Sequence, residues 1–551
     1  MTKETKDSLV KGTLILTVAA LVARFLGVFQ RIPLVGMLGD QGMGSYTVAF
    51  NFYSILLVIA TAGIPSALSK MIAENNALGR RAEAERIYRA AVWFALAAGV
   101  VMAILIYFFA PFYAHGEPNA TLATRAIAPA LLFFPLIAIM RGYFQGRQNM
   151  LPNGISQVVE QILRLITSIG LAYLLLKVSL GWAVAGASFG GVMGGVAALS
   201  VMIYYAVKLK RQDRLNRTST PISKEEADQN KMSYKGIYWS LLRISIPIVI
   251  FSITVPLIYA IDTWIVVPLL EGQLGFNEAY GVLGILGGRA QSLAGIPIIL
   301  AIALSQSVVP IISAAYSRKD YKQVGHQTTR VLQLAILSGL PAVLVIAIGA
   351  RPLDLFLFGS EDSAYGLATG PSIISLLTIS AMFQIVMQTS GAVLMGMGRM
   401  KALIVHVAAG IIMKLIGSLI LAQWLGIYGI IVSTALCFVI MSWLNLRSIR
   451  QVVAFTILGR RFAGLLLSVV IIAIVGFAVE WATHSYVQPF KLYRLNEGIN
   501  AILVCGCTAA LYPLMLMLTC VVTKDDIKNF PAPLQKLIAK AERLVRRPRR
   551  A

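Results

Sequence analysis

The chain has 551 residues, of which 58% are hydrophobic and only 13% are charged. A water-soluble fold of this size cannot bury so much apolar surface, so the composition excludes ordinary soluble enzymes and binding modules. The formal charge of +24 does not indicate a nucleic-acid partner, because the basic residues lie in short breaks between apolar runs rather than on one soluble face.

Apolar runs recur along the chain and predict an all-α polytopic membrane protein with about 14 transmembrane helices. Each such helix needs roughly 20 apolar residues to cross a hydrocarbon layer about 30 Å thick. In chain order, the predicted helices are 8–35, 46–71, 90–112, 124–146, 153–176, 181–207, 238–267, 280–315, 327–350, 366–396, 401–423, 426–446, 461–482 and 497–522. The first run is too long for a signal peptide and carries Arg24 in its middle, so we expect it to remain as helix one.

Basic residues are distributed unevenly among the connections. Most of the 48 Lys and Arg residues lie near the N-terminus, in alternate connections and in the C-terminal tail. The other connections contain only Arg125, Lys177, Arg351, Lys491 and Arg494. Because connections rich in Lys and Arg remain in the cytoplasm, this distribution predicts that both termini are cytoplasmic.

The longest connection, 208–236, is polar and is predicted to be a cytoplasmic linker between two six-helix lobes, 1–207 and 237–450. Segment 146–175 aligns without a gap with segment 396–425, which indicates an internal repeat and places Arg164 opposite Lys414. Because each half has an even number of helices, we expect parallel lobes, an architecture suited to alternating access.

Two extra C-terminal helices, within 451–523, have no counterpart in the repeat. The tail, 524–551, is basic and has apolar residues at helical spacing. It is interpreted either as a segment that lies on anionic lipid or as a solvated tail.

Charged side chains inside the predicted helices are the candidate functional residues. Each costs at least about 2.5 to 3.5 kcal/mol on membrane insertion, so such residues usually face a partner or an aqueous cavity. Most are cationic, and guanidinium groups suit phosphate because their planar fork donates two parallel hydrogen bonds. The candidate substrate-binding residues are Arg24, Arg31, Arg164, Arg289 and Lys414. Together they predict a positive cavity between the lobes that would accept a diphosphate-linked substrate.

Some of these residues have structural alternatives. Arg31 could reach the outer interface by snorkelling, and Glu160, one turn before Arg164, could hold that arginine in an ion pair. Asp262 is either a cation site or an exposed cap, and with Glu160 it forms the set of candidate ion or gating residues. No cofactor, metal or catalytic residue is expected. The cysteines lack His partners at metal-ligand spacing and are interpreted as small core residues: Cys437, Cys505, Cys507 and Cys520.

Four segments carry a family resemblance: 24–27 (RFLG), 63–70 (GIPSALSK), 141–146 (RGYFQG) and 288–310. Here the chain resembles the MurJ-like lipid II flippases, and most of all their Gram-positive YtgP and SpoVB branch, over essentially its whole length. The resemblance implies the fold of the multidrug/oligosaccharidyl-lipid/polysaccharide exporter superfamily. In that fold two lobes enclose a cationic cavity, and a lipid-tail groove lies beside helices 13 and 14.

The same resemblance assigns Arg24 and Arg289 to the family's cavity arginines on helices one and eight. The chain departs from the Gram-negative branch at three places. Gln30 and Arg31 stand where that branch has Arg and Asp, Leu57 lies near its helix-two arginine, and Ser292 replaces an acidic residue.

The function implied is a monomeric carrier in the bacterial cytoplasmic membrane that moves lipid II to the outer leaflet for peptidoglycan and cell wall biogenesis. Three alternatives remain open. The first changes the cargo to a teichoic, capsular or spore-cortex glycolipid. The second is a cation-coupled multidrug exporter, which should have buried acids. The third is a membrane glycosyltransferase or ligase, for which the outer connections are short and enzyme motifs are missing.

Overall fold

A computed structural model describes residues 9–216, 232–359, 364–459, 461–487 and 492–521. Within these ranges the chain is helical and has no β-strand. The helices are α1 (Leu9–Thr61), α2 (Ile64–Ala77), α3 (Arg81–Tyr113), α4 (Pro118–Ile127), α5 (Ala130–Gly146), α6 (Leu151–Leu176), α7 (Leu180–Asn216), α8 (Tyr234–Leu274), α9 (Phe276–Gly284), a π-helical turn (Ile285–Ala290), α10 (Gln291–Ser317), α11 (Tyr321–Ile348), α12 (Ala350–Leu357), α13 (Ala364–Gly396), α14 (Met400–Leu425), α15 (Ile427–Arg450), α16 (Arg461–Tyr486) and α17 (Tyr493–Leu518). The predicted basic tail lies outside the described residues, as does most of the predicted linker.

The number of membrane spans agrees with the sequence. Among the described residues, 13 helical runs are long and apolar enough to cross a membrane. The first, Val18–Ala77, has 60 residues. At 1.5 Å per residue that run measures about 90 Å, roughly three times the thickness of the hydrocarbon layer. It therefore contains two spans, and the prediction of an all-α membrane protein with about 14 transmembrane helices is confirmed.

The first two spans meet at Gly39, inside α1. This glycine has φ 62° and ψ −178°, a backbone conformation that residues other than glycine rarely adopt. Gln30 Nε2 lies 3.5 Å from Tyr46 Oη, although the two residues are 16 positions apart in the sequence. In a straight helix that sequence separation would correspond to about 24 Å along the axis. The chain therefore reverses direction at Gly39, and the two arms of α1 lie side by side.

Helix boundaries differ from the prediction in several places. The predicted helix 124–146 is two helices, α4 and α5, with the break at Ala128 and Pro129. The predicted helix 280–315 begins in α9 and passes through the π-helical turn into α10. The helix α12 has only eight residues and was not predicted, because it is too short to produce a membrane-spanning apolar run.

The chain divides into two compact units, Met1–Gly288 and Arg289–Ala551. In the first, α6 packs along α7 and α1, while α1 also contacts α4, α8 and α9. In the second, α13 packs against α10, α11 and α15, α14 pairs with α15, and α16 pairs with α17. The division into repeat lobes at 208–236, with an appendage at 451–523, stays a prediction.

Candidate functional site

Arg31 lies where α1 contacts the π-helical turn. Its guanidinium donates to the backbone carbonyl of Gly287 and lies 5.2 Å from the centre of the Phe50 ring. Glycine is needed at position 287 because a Cβ atom there would collide with the side chain of Thr47. The side chain of Arg31 is therefore held between both arms of α1 and a π-helical turn, a type of irregularity that is frequent at functional sites.

Arg24 is placed differently from Arg31. Its side chain is exposed, and it has no hydrogen bond or ion pair with any described residue. It lies seven residues before Arg31, about 10 Å along the same arm of α1. A cation inside an apolar span must reach water or an anion, because hydrocarbon solvates it poorly. Arg24 is therefore available to an anionic ligand.

Glu160 is shared by two arginines. Arg164 Nη2 lies 3.3 Å from Glu160 Oε1, and Arg141 Nη2 lies 3.0 Å from Glu160 Oε2. Arg141 Nε also donates to Ser156 Oγ at 2.9 Å. The carboxylate is buried, and both arginines are partly buried. We call Arg141, Glu160 and Arg164 the Glu160 cluster; with two cations and one anion, it has a net positive charge.

Gln30 connects Arg31 with the Glu160 cluster. Its amide nitrogen lies 3.0 Å from Ser168 Oγ on α6, one turn beyond Arg164, as well as near Tyr46. The described residues of the first unit thus bring Arg31 and Arg164 into one polar region that crosses α1 and α6.

Arg289 belongs to the second unit and is enclosed there. Its Nη1 lies 3.5 Å from Asp354 Oδ1 of α12, and both side chains are only 1% exposed. Gly370 of α13 lies against the pair, and a Cβ atom there would be 2.6 Å from Asp354 Oδ2. An arginine predicted from the sequence to line a cavity is thus buried beside an acidic partner in this conformation.

Lys414 is also fully buried. Its Nζ lies 2.6 Å from Thr434 Oγ1, so α14 and α15 are joined at this point. Arg164, the residue aligned with Lys414 in the predicted repeat, contacts the carboxylate of Glu160.

Asp262 lies on α8 and is 3% exposed. Beside it, Asn51 of α1 donates to Thr263 Oγ1 at 2.7 Å, and Tyr113 of α3 donates to the carbonyl of Ala260 at 3.0 Å. Asp262 is therefore enclosed where three helices meet. The described residues contain no group of three or more His, Cys, Asp or Glu side chains that could hold a metal ion.

Sequence reasoning missed two partners, Arg141 and Asp354. Arg141 lies near the end of its predicted helix, 124–146, and is not among the candidate substrate-binding residues. Asp354 lies outside every predicted helix, because α12 is too short to be recognised as one. The RGYFQG segment, 141–146, was the one signal that pointed to Arg141.

Comparison of the sequence with known proteins assigns the chain to a family. Residues 9–316 match the family model described as polysaccharide biosynthesis protein. The lipid II flippase MurJ of Bacillus subtilis (strain 168) is 27% identical over 527 residues, which cover 92% of this chain and 94% of the relative. The stage V sporulation protein B of the same organism is 26% identical over 537 residues, covering 96% and 98%.

Solved structures agree on the fold. A structure of the lipid II flippase MurJ in an inward closed conformation matches 92% of this chain and 100% of that chain, with a TM-score of 0.65 and 15% identity. An inward-facing multidrug resistance MATE family transporter matches 80% of this chain and 100% of that chain, with a TM-score of 0.62 and 14% identity. The fold is thus shared with membrane transporters, and the family match covers more than half of the sequence: the chain is a multi-pass membrane protein of the polysaccharide biosynthesis protein family.

Proposed function

We propose that this protein is a flippase that moves a lipid-linked glycan, specifically lipid II, from the inner to the outer leaflet by alternating access. The observation that carries the proposal is the cationic character of its intramembrane polar residues. Arg24 is exposed within a span, Arg31 lies two turns away, and the Glu160 cluster has one more cation than anion. A diphosphate is the anion that paired guanidinium groups bind well.

The substrate-binding residues in this proposal are Arg24, Arg31, Arg164, Arg289 and Lys414. Arg24 alone of the five is exposed, so it is the one of them that a substrate can reach in this conformation. Arg289 and Lys414 are buried in this conformation, so their contact with a substrate requires the rearrangement that alternating access provides. The protein acts as a monomeric carrier and not as an enzyme, with both termini in the cytoplasm.

An inside-negative membrane potential would favour this cycle. It draws a cationic binding region toward the cytoplasmic side at about 2.3 kcal/mol per charge per 100 mV. Substrate binding neutralises that charge, so the potential acts mainly on the return of the empty carrier.

A cation-coupled multidrug exporter is less well supported, for a structural reason. Such a carrier needs carboxylates that can exchange a proton or a metal cation. Glu160 and Asp354 each face an arginine within 3.5 Å, so their charge is already neutralised by the protein. Asp262, the other candidate ion or gating residue predicted from the sequence, is buried on α8.

The test uses purified full-length protein in liposomes that contain fluorescent lipid II. We expect the protein to make lipid II of the inner leaflet accessible to an external quencher, and Arg24→Ala to abolish this. The same assay with a teichoic acid precursor on the same polyprenyl carrier separates the two cargo classes. Transport of the teichoic precursor without lipid II would replace the proposed cargo, and transport of neither would contradict the function.

A further inference from the structure

The first unit contains an apolar cavity apart from the polar region. It has a volume of about 200 Å³ and lies where α1 ends and α2 begins, with further walls from α3, α5 and α8. Representative lining residues are Ile64, Ala98, Met102, Ile139, Ser245 and Ile246, and every lining residue except Ser245 is apolar. An engineered apolar cavity of roughly 150 Å³ stays dry and binds benzene, so this one has room for a short stretch of hydrocarbon chain.

Ser245 is the exception in the wall. It is 2% exposed, and its Oγ has no hydrogen-bond partner among the described residues. A buried hydroxyl without a partner costs free energy, because it has lost the hydrogen bonds that water would supply. This hydroxyl oxygen has almost no accessible surface, so it lies within the wall and does not face the cavity.

The cavity opens at the surface on α8. Ile246 lines it and is also 52% exposed. Arg243, one turn earlier on the adjoining face, is exposed, and Trp239, one further turn back, is 68% exposed. Tryptophan is enriched at the level of the lipid head groups, and arginine near a helix end reaches toward that level.

These residues form a polarity gradient along α8. From the head-group level inward they run from Trp239 through Arg243 to Ile246 and Ile250. Ile250 lies about 16 Å beyond Trp239, which is about the depth of one leaflet's hydrocarbon. The order of a cation followed by an apolar cavity matches the order of groups in an anionic lipid.

We propose that this cavity binds the first part of a polyprenyl chain whose diphosphate head contacts Arg243. The chain enters along Ile246, which lines the cavity and is exposed. The assignment rests on the proposed function, because it takes the diphosphate-linked cargo as the occupant. A single prenyl chain suits the cavity better than a bilayer phospholipid, which has two chains to place. This site is distinct from the groove beside helices 13 and 14 that the family resemblance implied, which corresponds to α16 and α17.

The experiment is photo-crosslinking in liposomes with wild-type, full-length protein. The probe is lipid II with a diazirine on the isoprene unit next to the diphosphate, and peptide mapping locates the label. We expect label in the cavity walls, on α8 and at the α1–α2 break. Label confined to α16 and α17, in protein that transports lipid II, would overturn the tail site and leave the flippase intact. Absence of transport would instead count against the function.

Two matched variants of α3 test occupancy. Ala98 lines the cavity, whereas its neighbour Ala97 is exposed and does not. Ala98→Trp should fill the cavity and lower labelling about tenfold, the change expected when a few methylene groups lose their burial, while Ala97→Trp should not. Equal labelling of both variants would contradict the proposal. If Ala98→Trp does not fold, Arg243→Gln supplies the second variant, and undiminished labelling there would contradict the head-group contact.

A phospholipid competitor distinguishes the two lipid sources. Phosphatidylglycerol with a diazirine in one acyl chain should be displaced from the cavity by excess unlabelled lipid II. Labelling by phosphatidylglycerol that lipid II does not reduce would show that a bilayer lipid is the occupant, and it would overturn the assignment.

Discussion

Arg289 Nη1 lies 3.5 Å from Asp354 Oδ1, and the two side chains are equally buried. The pair joins the π-helical turn to the short helix α12. Because residue 370 is glycine, α13 can pack closely against this pair. A family resemblance suggested Arg289 as a substrate contact. In this conformation its anionic partner is a side chain of the protein.

This pairing predicts that removing the carboxylate alone destabilises the protein more than removing both partners. Asp354→Asn should destabilise the protein by about 3 to 5 kcal/mol, because it leaves a buried guanidinium without its carboxylate. Combining it with Arg289→Met should recover much of that loss. Thermal unfolding in detergent measures both effects. The control is Arg351→Gln, since Arg351 is 49% exposed and its ion pair with Glu480 spans 4.0 Å. Stability of Asp354→Asn equal to that of the control would contradict a structural pair.

Arg24 should matter for transport and not for folding. Arg24→Ala should abolish complementation of a flippase-depleted bacterial strain while membrane abundance stays near normal, because no described residue depends on its side chain. Arg24→Lys should be partly active, since the charge remains but the bidentate fork is lost. Normal growth with Arg24→Ala at wild-type expression would remove Arg24 from the site.

The reversal at Gly39 predicts that replacing this glycine lowers the stability of the protein. Gly39→Ala should destabilise the protein by about 1 to 3 kcal/mol, because alanine is strained at this combination of φ and ψ. Gly36 lies three residues earlier on the same helix, and a Cβ atom there would have no atom within 4 Å. Gly36→Ala is therefore the matched control, and thermal unfolding compares the two. Equal melting temperatures would mean that the chain does not reverse at Gly39.

Apolar runs made the spans predictable, because a helix satisfies its own backbone hydrogen bonds in hydrocarbon and needs a minimum length to cross it. Partners across helices were not predictable in the same way. Glu160 and Arg164 are one turn apart and visible in the sequence, but Arg141 reaches Glu160 from another helix. Likewise, no residue near Arg289 in the sequence indicates that its partner is Asp354. The π-helical turn that Arg31 contacts was also missed, because its amino-acid composition does not differ from that of an α-helix.

The proposed orientation can be tested by cysteine labelling in a Cys520→Ser background, because Cys520 is exposed. Ser223→Cys, in the predicted linker, and Ala541→Cys, in the basic tail, should react only with membrane-permeant thiol reagents in intact cells. Arg351→Cys, on a connection predicted to lie outside, should react with impermeant reagents as well. Labelling of position 223 or 541 by an impermeant reagent would reverse the orientation.

The Glu160 cluster allows a test that separates stability from transport. Glu160→Gln leaves Arg141 and Arg164 facing each other without a carboxylate, so it should cost about 3 to 5 kcal/mol. Arg164→Met should cost less, because Glu160 keeps Arg141 as its partner. The charge-free triple variant, with Met at both arginine positions and Gln at 160, should recover much of the stability. Glu271→Gln, at an exposed position on α8, is the control.

Transport by the same variants then decides the role of the two arginines. If either binds the substrate diphosphate, the stable triple variant should reach the membrane and fail to move lipid II, because it has lost both guanidinium groups. If the cluster only holds α5 against α6, the triple variant should transport at a rate that follows its stability. Arg164→Met alone assigns the contact, since Arg141 remains paired with Glu160 in that variant. Normal stability of Glu160→Gln would remove the structural role, and normal transport by the triple variant would remove the substrate-binding one.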